Sequence, residues 1–212
     1  AFCTARHADD TEVGSARGCA DRKVFFMNCN NNFNLCPMCG GKNIGFVDNK
    51  KWFCSDCAFT LYHNVAAAVC VIVADGQGNV LLEKRAKEPR RGFFALPGGF
   101  IDPDESADEA ALRECREEAA LEIRRVQYLC SFPNTYEYKR ILYKTCDVFY
   151  RASLPRGIET IDALIKNLRA QKSEVESFTA VRISNDAELA AAPLAFENSR
   201  RALGVWLKRR RR

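Results

Sequence analysis

The chain has 212 residues, of which 47% are hydrophobic and 28% charged, a composition that excludes disorder, collagen and coiled coil and fits one or two folded domains. Its net charge of +5 is carried by the all-basic residues 208–212. The body is therefore neutral and lacks the basic excess with which a nucleic-acid partner is usually gripped. The longest apolar run, residues 65–74, is half of the ~20 residues a membrane-spanning helix needs, so no span is expected.

In chain order, residues 1–32 read as an N-terminal extension with one strand at 24–27, and residues 33–62 as short β pieces punctuated by cysteines. Cys36-x-x-Cys39 and Cys54-x-x-Cys57 are separated by fourteen residues, a spacing that suits a tetrahedral Zn²⁺ ribbon. Four thiolates would close the coordination sphere and make the site structural, holding a segment too small to bury a core of its own. Disulfides or chance pairs are the competing readings. Cysteine pairs of this kind point to an intracellular reducing compartment, the mitochondrial matrix or the cytoplasm. Cys70, Cys115, Cys130 and Cys146 read as apolar fillers, Cys3, Cys19 and Cys29 have no assigned role, and His63 reads as a hydrogen-bonded boundary residue. With His7 it is one of only two histidines, so any chemistry leans on carboxylates, thiolates or a metal.

Residues 63–207 form the larger predicted domain, with 208–212 as a basic tail that reads first as a solvated end and second as a contact for an acidic partner or anionic lipid. Residues 65–74 read as a buried strand, a Gly-rich turn follows at 75–79, and residues 80–85 return as a second strand, together a hairpin. A short strand at 93–96 is broken by Pro97-Gly98-Gly99, and a helix over 106–119 opens on a capping box of Ser106 and Glu109. Two strands, 122–132 and 140–151, are expected to be joined by the polar, aromatic segment 134–139. An amphipathic helix around 158–168, a strand at 175–183 and a helix at 196–207 complete the chain. Strands and helices mix without strict alternation, which predicts an α/β architecture with a mixed sheet sandwiched by helices.

Glu114, Glu117 and Glu118 are offset by three and four residues and so share one helix face, with Arg113 beside them. Spacing alone leaves two readings open, a solvated acidic face and a cation site. The Gly-Gly break favours the second, because it places backbone carbonyls near hard carboxylate oxygens suited to Mg²⁺ or Mn²⁺. Such a site implies hydrolysis of phosphate or pyrophosphate bonds.

The stretch from Gly99 resembles the Nudix box. Gly99, Glu105, Arg113, Glu114, Cys115, Glu117, Glu118 and Leu121 fall in its register, and the late glycine of the pattern is Ala120. The resemblance implies a Nudix α/β/α sandwich and divalent-metal-dependent hydrolysis of a nucleoside diphosphate linked to another group. It further implies Glu114 as base or metal ligand, Glu117, Glu118 and the Gly99 carbonyl as metal ligands, and Glu105 with Arg113 as the pair that positions loop and helix. The missing glycine is expected to strain a left-handed turn by about 1 kcal/mol without removing a carboxylate.

A cysteine ribbon directly before such a domain is similar to the NADH pyrophosphatase branch. The Ser-Gln-Pro-Trp-Pro-Phe-Pro array of that branch is here Ser131-Phe-Pro-Asn-Thr-Tyr136, which keeps a Ser and a Pro. A nucleotide-type small molecule is thus the expected substrate. Arg85, Lys84 and the loop 87–91 could meet its phosphates, and Tyr136 or Tyr138 could stack on a base; packing or solvated roles compete for each. Two other functions stay open: a non-catalytic accessory subunit of a larger assembly, a mitochondrial one included, for which the departure at Ala120 speaks, and nucleotide or RNA binding, which the neutral body weakens.

Overall fold

The computed structural model describes residues 33–138 and 141–210. The expected extension, with its strand at 24–27, lies outside them, as do the last two residues of the basic tail. The chain divides into two compact units, Ala1–Asn64 and Val65–Arg212. Among the described residues no helix is long and apolar enough to cross a membrane.

The first unit is a three-stranded antiparallel sheet in the order β1-β2-β3, with β1 Ile44–Val47, β2 Lys51–Cys54 and β3 Thr60–Tyr62. Asp48 and Asn49 turn the first hairpin with φ of 55° and 54°, a left-handed geometry that Asp and Asn tolerate better than most side chains. Trp52 is the hub of its small apolar centre. Phe33, Phe46 and His63 pack on its ring at centroid distances of 5.1, 5.0 and 5.2 Å, so His63 serves as an aromatic wall.

In the second unit, β4 (Ala66–Val73) lies parallel to β8 (Ile141–Ala152), which pairs antiparallel with β7 (Val126–Tyr138). This sheet is mixed, as expected. A second, antiparallel sheet has the order β6-β5-β9, with β5 Asn79–Arg85, β6 Phe94–Ala95 and β9 Val175–Arg182. The expected hairpin of β4 and β5 is therefore wrong. Their turn is present, but a single bridge from Ala74 to Val80 joins them; β4 pairs with the distant β8, and β5 lies between the nearby β6 and the distant β9.

Alternation along the buried strands feeds two cores. Val69, Val71 and Val73 of β4 and Leu81 of β5 pack with α1 (Ala107–Ala119) and α2 (Ile161–Ile165). Ile72, Val80 and Leu82 point the other way, toward α3 (Asp186–Ala191) and α4 (Glu197–Arg210). Helices thus cover both faces, as period-2 side-chain placement in a doubly buried strand requires.

Three further boundaries differ from expectation. Residues 134–138 do not form a connection but continue β7. As the outer strand of the order β4-β8-β7 it alternates half-buried with exposed side chains, so polar residues are no obstacle there. The helix expected around 158–168 shrinks to the five residues of α2, with Thr160 as N-cap. Lys208 to Arg210 are the last turn of α4, where positive charge meets the negative end of the helix dipole. Arg210 donates to the Gly76 carbonyl in the β4–β5 turn and lies over the Trp206 ring.

Candidate active site

α1 begins where the sequence places it. The Ser106 hydroxyl accepts from Glu109 N at 3.3 Å, and Glu109 Oε2 accepts from Ser106 N at 2.8 Å, which satisfies two of the otherwise unpartnered first-turn donors. At the other end Ala120 adopts φ 51° and ψ 34°, and Leu121 N donates to Cys115 O. This left-handed stop is the conformation glycine accepts without a Cβ penalty. The α1 carbonyls of Glu118 and Ala119 accept from Gln171 N and Arg169 N, which holds the loop before β9, and with it Glu174, beside the helix.

The glycine corner is fixed by contact as much as by conformation. Pro97 and Gly99 carbonyls accept from Val71 N and Val69 N, so the corner runs along β4. A Cβ on Gly98, at φ 147°, would lie 2.0 Å from the Val69 carbonyl oxygen, and one on Gly99 would lie 2.4 Å from Glu114 Oε1. One of the two lone pairs of the Gly99 oxygen is thus used by β4, leaving the other for a further partner.

Arg113 is the hub of the loop and helix. It grips both Glu105 oxygens at 2.6 and 3.1 Å, donates to the Phe100 carbonyl at 3.0 Å, and reaches Glu114 at 2.9 Å and Glu117 at 3.0 Å. A planar guanidinium can serve this many acceptors because its donors are preset in a fork. Hydrogen bonds from Arg113 and from Asp102 N hold the Glu105 carboxyl below its ordinary value.

Glu114, Glu117 and Glu118 all line one cavity of about 590 Å³, but in different states. Glu117 is half exposed and Glu114 largely buried, both drawn onto Arg113. Glu118 is 7% exposed and accepts from Gly98 N at 2.7 Å. Burial raises the Glu114 carboxyl. Burial also pushes Glu118 up to about 8, against the pull of the Gly98 N–H. The donor oxygens of this trio are not gathered as tightly as the four thiols: among the described residues, only Cys36, Cys39, Cys54 and Cys57 bring three or more His, Cys, Asp or Glu ligand atoms within 4.8 Å of one another.

Sequence reasoning missed Glu83 and Glu174, which line the same cavity. Glu83, on β5, is 3% exposed and stands against Glu118; burial and the Glu118 charge push its carboxyl well up. A signal was present, because Glu83 falls at the inward parity of Leu81, directly after the apolar run Val80 to Leu82. Its Oε1 is buried without a hydrogen-bond partner. That orphaned oxygen and the excess of carboxylates over cations fit a hard divalent ion. The far wall holds a buried polar knot missed equally: Asp147 accepts from Thr145 at 2.5 Å, from Asn134 at 3.1 Å and from Asn198.

Of the expected substrate contacts, Arg85 and Tyr136 line the cavity and Lys84 turns to Glu176 at 2.7 Å. Arg85 Nε donates to the Pro89 carbonyl at 2.8 Å and its guanidinium lies 5.3 Å from the Phe196 ring centroid. Tyr136 packs between Phe100 and Phe196, at 5.6 and 6.2 Å, forming an aromatic wall. Lys87 also lines the cavity and pairs with Glu174 at 2.5 Å. The side chain of Tyr138 lies outside the described residues.

In the first unit the cysteine thiols are free, with Cys36 Sγ 3.7 Å from Cys57 Sγ and Cys39 Sγ 3.8 Å from Cys54 Sγ. A tetrahedron of thiolates around an ion at ~2.3 Å has edges of ~3.8 Å, so the quartet fits zinc and is far too open for disulfides. Elsewhere Cys115 is fully buried, and Cys70 and Cys130 pack partly buried against the α4-side core; Cys146 is half-buried.

Comparison with known proteins places this architecture. Residues 64–194 match the family model described as NUDIX domain. The chain is 34% identical over 99 residues to the NAD-capped RNA hydrolase NudC of Pseudomonas entomophila, covering 46% of this chain and 34% of that one. It is 28% identical over 116 residues to the NAD-capped RNA hydrolase of Schizosaccharomyces pombe, covering 48% and 31%. The chain thus spans about a third of the length of these curated relatives. Among solved structures, the NUDIX domain of Shewanella oneidensis NrtR complexed with ADP ribose aligns with a TM-score of 0.53 and 25% identity over 69% of this chain and 88% of that one. A NUDIX hydrolase from Nitrosomonas europaea shares the fold, with a TM-score of 0.55 and 24% identity over 84% and 92%. The match spans more than half of the sequence and contains both the glycine corner and the carboxylate helix, and on that ground the chain belongs to the Nudix family.

Proposed function

We propose that this chain is a divalent-metal-dependent hydrolase that cleaves the pyrophosphate bond of a nucleoside diphosphate linked to another moiety. The observation that carries the reading is the single cavity in which Glu114, Glu117 and Glu118 of α1 meet the Gly98-Gly99 corner on one side and an aromatic wall on the other. Glu114, Glu117, Glu118 and the free lone pair of the Gly99 carbonyl would hold Mg²⁺ or Mn²⁺, which supplies charge neutralisation at the bridging phosphates and activation of water.

The remaining steps belong to the chain. Arg113 and Glu105 lock loop to helix, so the carboxylates are aimed before substrate arrives. Glu114, buried and basic for a carboxyl, takes the proton of the attacking water at one of its oxygens. Arg85 and Lys87 offer positive charge to the phosphates, and Tyr136, Phe100 and Phe196 offer ring faces and edges to a base. The names of the curated relatives, NAD-capped RNA hydrolases, favour dinucleotides joined through a pyrophosphate, free or at an RNA end. In the first unit, Cys36, Cys39, Cys54 and Cys57 would hold a structural Zn²⁺ in a ribbon that spans about residues 33–62.

The test is turnover of NADH, ADP-ribose, nucleotide sugars, FAD and NAD-capped RNA with Mg²⁺ or Mn²⁺, beside Glu117→Gln and Glu118→Gln. Loss in each variant of at least about 10²-fold in kcat is expected; no turnover of any substrate by the wild type overturns the reading. That outcome favours the second reading, a non-catalytic accessory subunit. It is motivated by the capture of Glu114 and Glu117 on Arg113 and by the strained Ala120, and co-purification of the folded chain in a larger assembly would then be expected.

A further inference from the structure

Glu83 lies outside the box and takes no part in the Arg113 network. It faces Ala95 of β6 and Phe178 of β9 in register, and its parity along β5 turns it to the α1 side of the sheet. There its carboxyl meets that of Glu118, and both line the cavity. An ionised carboxylate has only acceptors, so the contact is acceptor against acceptor unless something positive is shared.

Neighbouring cations are engaged elsewhere. Arg113 is spread over Glu105, Glu114, Glu117 and the Phe100 carbonyl, and Arg85 over the Pro89 carbonyl and the Phe196 ring. Among the described residues no Lys or Arg forms an ion pair with Glu83 or Glu118. Gly98 N satisfies one Glu118 oxygen, while Glu83 Oε1 is buried with no hydrogen-bond partner. Burying a carboxylate in this way is tolerated when the oxygen has a ligand to serve.

We propose that Glu83 is a ligand of a divalent cation at this site, holding the ion jointly with Glu118 through its otherwise unpartnered Oε1. The inference rests on the metal-dependent reading above and adds a strand-borne ligand to a set otherwise supplied by one helix and one corner. Anchoring the ion from both sides of the cavity fixes its position even while Glu114 and Glu117 exchange between the ion and Arg113. The rival explanation is a proton shared by the two carboxyls with no role for a cation. Gln at position 83 separates them, since its amide can donate to Glu118 in place of the proton but cannot donate an anionic oxygen to a metal.

The experiment is Mn²⁺ titration of the full, zinc-loaded chain, followed by the EPR signal of free Mn²⁺ and by the Mn²⁺-induced rise in Tm. Glu83→Gln is expected to weaken Mn²⁺ binding at least about tenfold and to lose most of the Tm rise, with a Tm in the absence of Mn²⁺ no lower than that of the wild type. A loss smaller than this overturns the proposal, and Glu83→Ala, read by the same criterion, stands in if the Gln variant does not fold. If wild-type chain binds Mn²⁺ and Glu118→Gln weakens it while the Glu83 variants do not, Glu83 alone is misassigned. If the wild type binds no Mn²⁺, the metal-dependent reading falls and the Glu83 assignment with it.

Discussion

The two candidate ion sites of this chain follow opposite principles. In the first unit, four identical soft donors converge within 4.8 Å from two short knuckles, and four thiolates would by themselves complete a tetrahedral sphere. In the larger unit, hard oxygens are spread around a cavity of about 590 Å³, partly engaged by Arg113 and partly by backbone. A site whose task is to hold a fold together benefits from completeness. One that must admit a phosphate group needs open positions and ligands that can move. The preorganised element in the second case is Arg113 with Glu105, which fixes where the carboxylates start without fixing where they end.

The largest effect that would break this contrast is expected in the ribbon. Cys54→Ser replaces a fully buried thiol and should unfold the first unit, because apparent zinc-binding energies of about 10–16 kcal/mol are folding energy in ribbons of this size. Metal analysis should find one zinc per wild-type chain and none in the variant, with Trp52 emission shifted to that of an exposed indole; retention of the metal would refute the closed tetrahedron.

Arg113→Lys sharpens the other half. It keeps the charge but loses the fork that spans Glu105, Glu114 and Glu117, and should lower kcat about 10–100-fold with KM little changed. Unaltered kcat would show that loop and helix stay aligned without it.

Asp75 tests whether the second unit depends on carboxylates away from the cavity. Burial works to raise this carboxyl, but hydrogen bonds from the Asn79 amide and from the backbone N–H groups of Asn79, Ile161 and Gln77 outweigh it and hold it below its ordinary value. Its contribution to stability is therefore complete above an unfolded-state value of about 3.9 and lost as pH falls through the lower folded one. Asp75→Asn keeps one accepting oxygen but sets an NH2 group against the two donors that the other oxygen serves, and should cost about 1–3 kcal/mol at neutral pH. Urea midpoints taken from neutral to acidic pH should fall less steeply in the variant; parallel curves would count against the assignment.

The smallest effect is expected at the helix stop. Ala120→Gly relieves a left-handed alanine and should stabilise the unit by about 1 kcal/mol or less, seen as a raised Tm. Unchanged turnover would mean that the alanine is a cost to stability alone.

How much of this could be read from residues follows from the range of the forces involved. α1, its capping box and its left-handed stop are local, and Ser106, Glu109 and Ala120 appear where their spacing puts them. The convergence of Cys36, Cys39, Cys54 and Cys57 was legible because four like ligands at set intervals have few other uses. The pairing of β4 and β5 was not, and the expected hairpin failed, since the main partners lie far along the chain: Val69 lies opposite Val148, and Leu82 opposite Thr179. The strand character of 134–138 was hidden by polar residues that only an outer strand accommodates. Glu83 was hidden because a lone acid in a strand means little until Glu118 is seen across from it.

At positions 98 and 99 a single hydrogen atom is all that fits between the corner and its neighbours, the Val69 carbonyl on one side and the Glu114 carboxylate on the other. Gly98 cannot grow unless β4 retreats, and Gly99 cannot grow unless the Glu114 carboxylate gives up its place beside the corner, so a substitution at the first costs the strand and one at the second costs the site. Mutational drift in this protein should therefore flow around the corner: sequence libraries selected for function ought to return glycine at both sites while tolerating wide variety a few residues away.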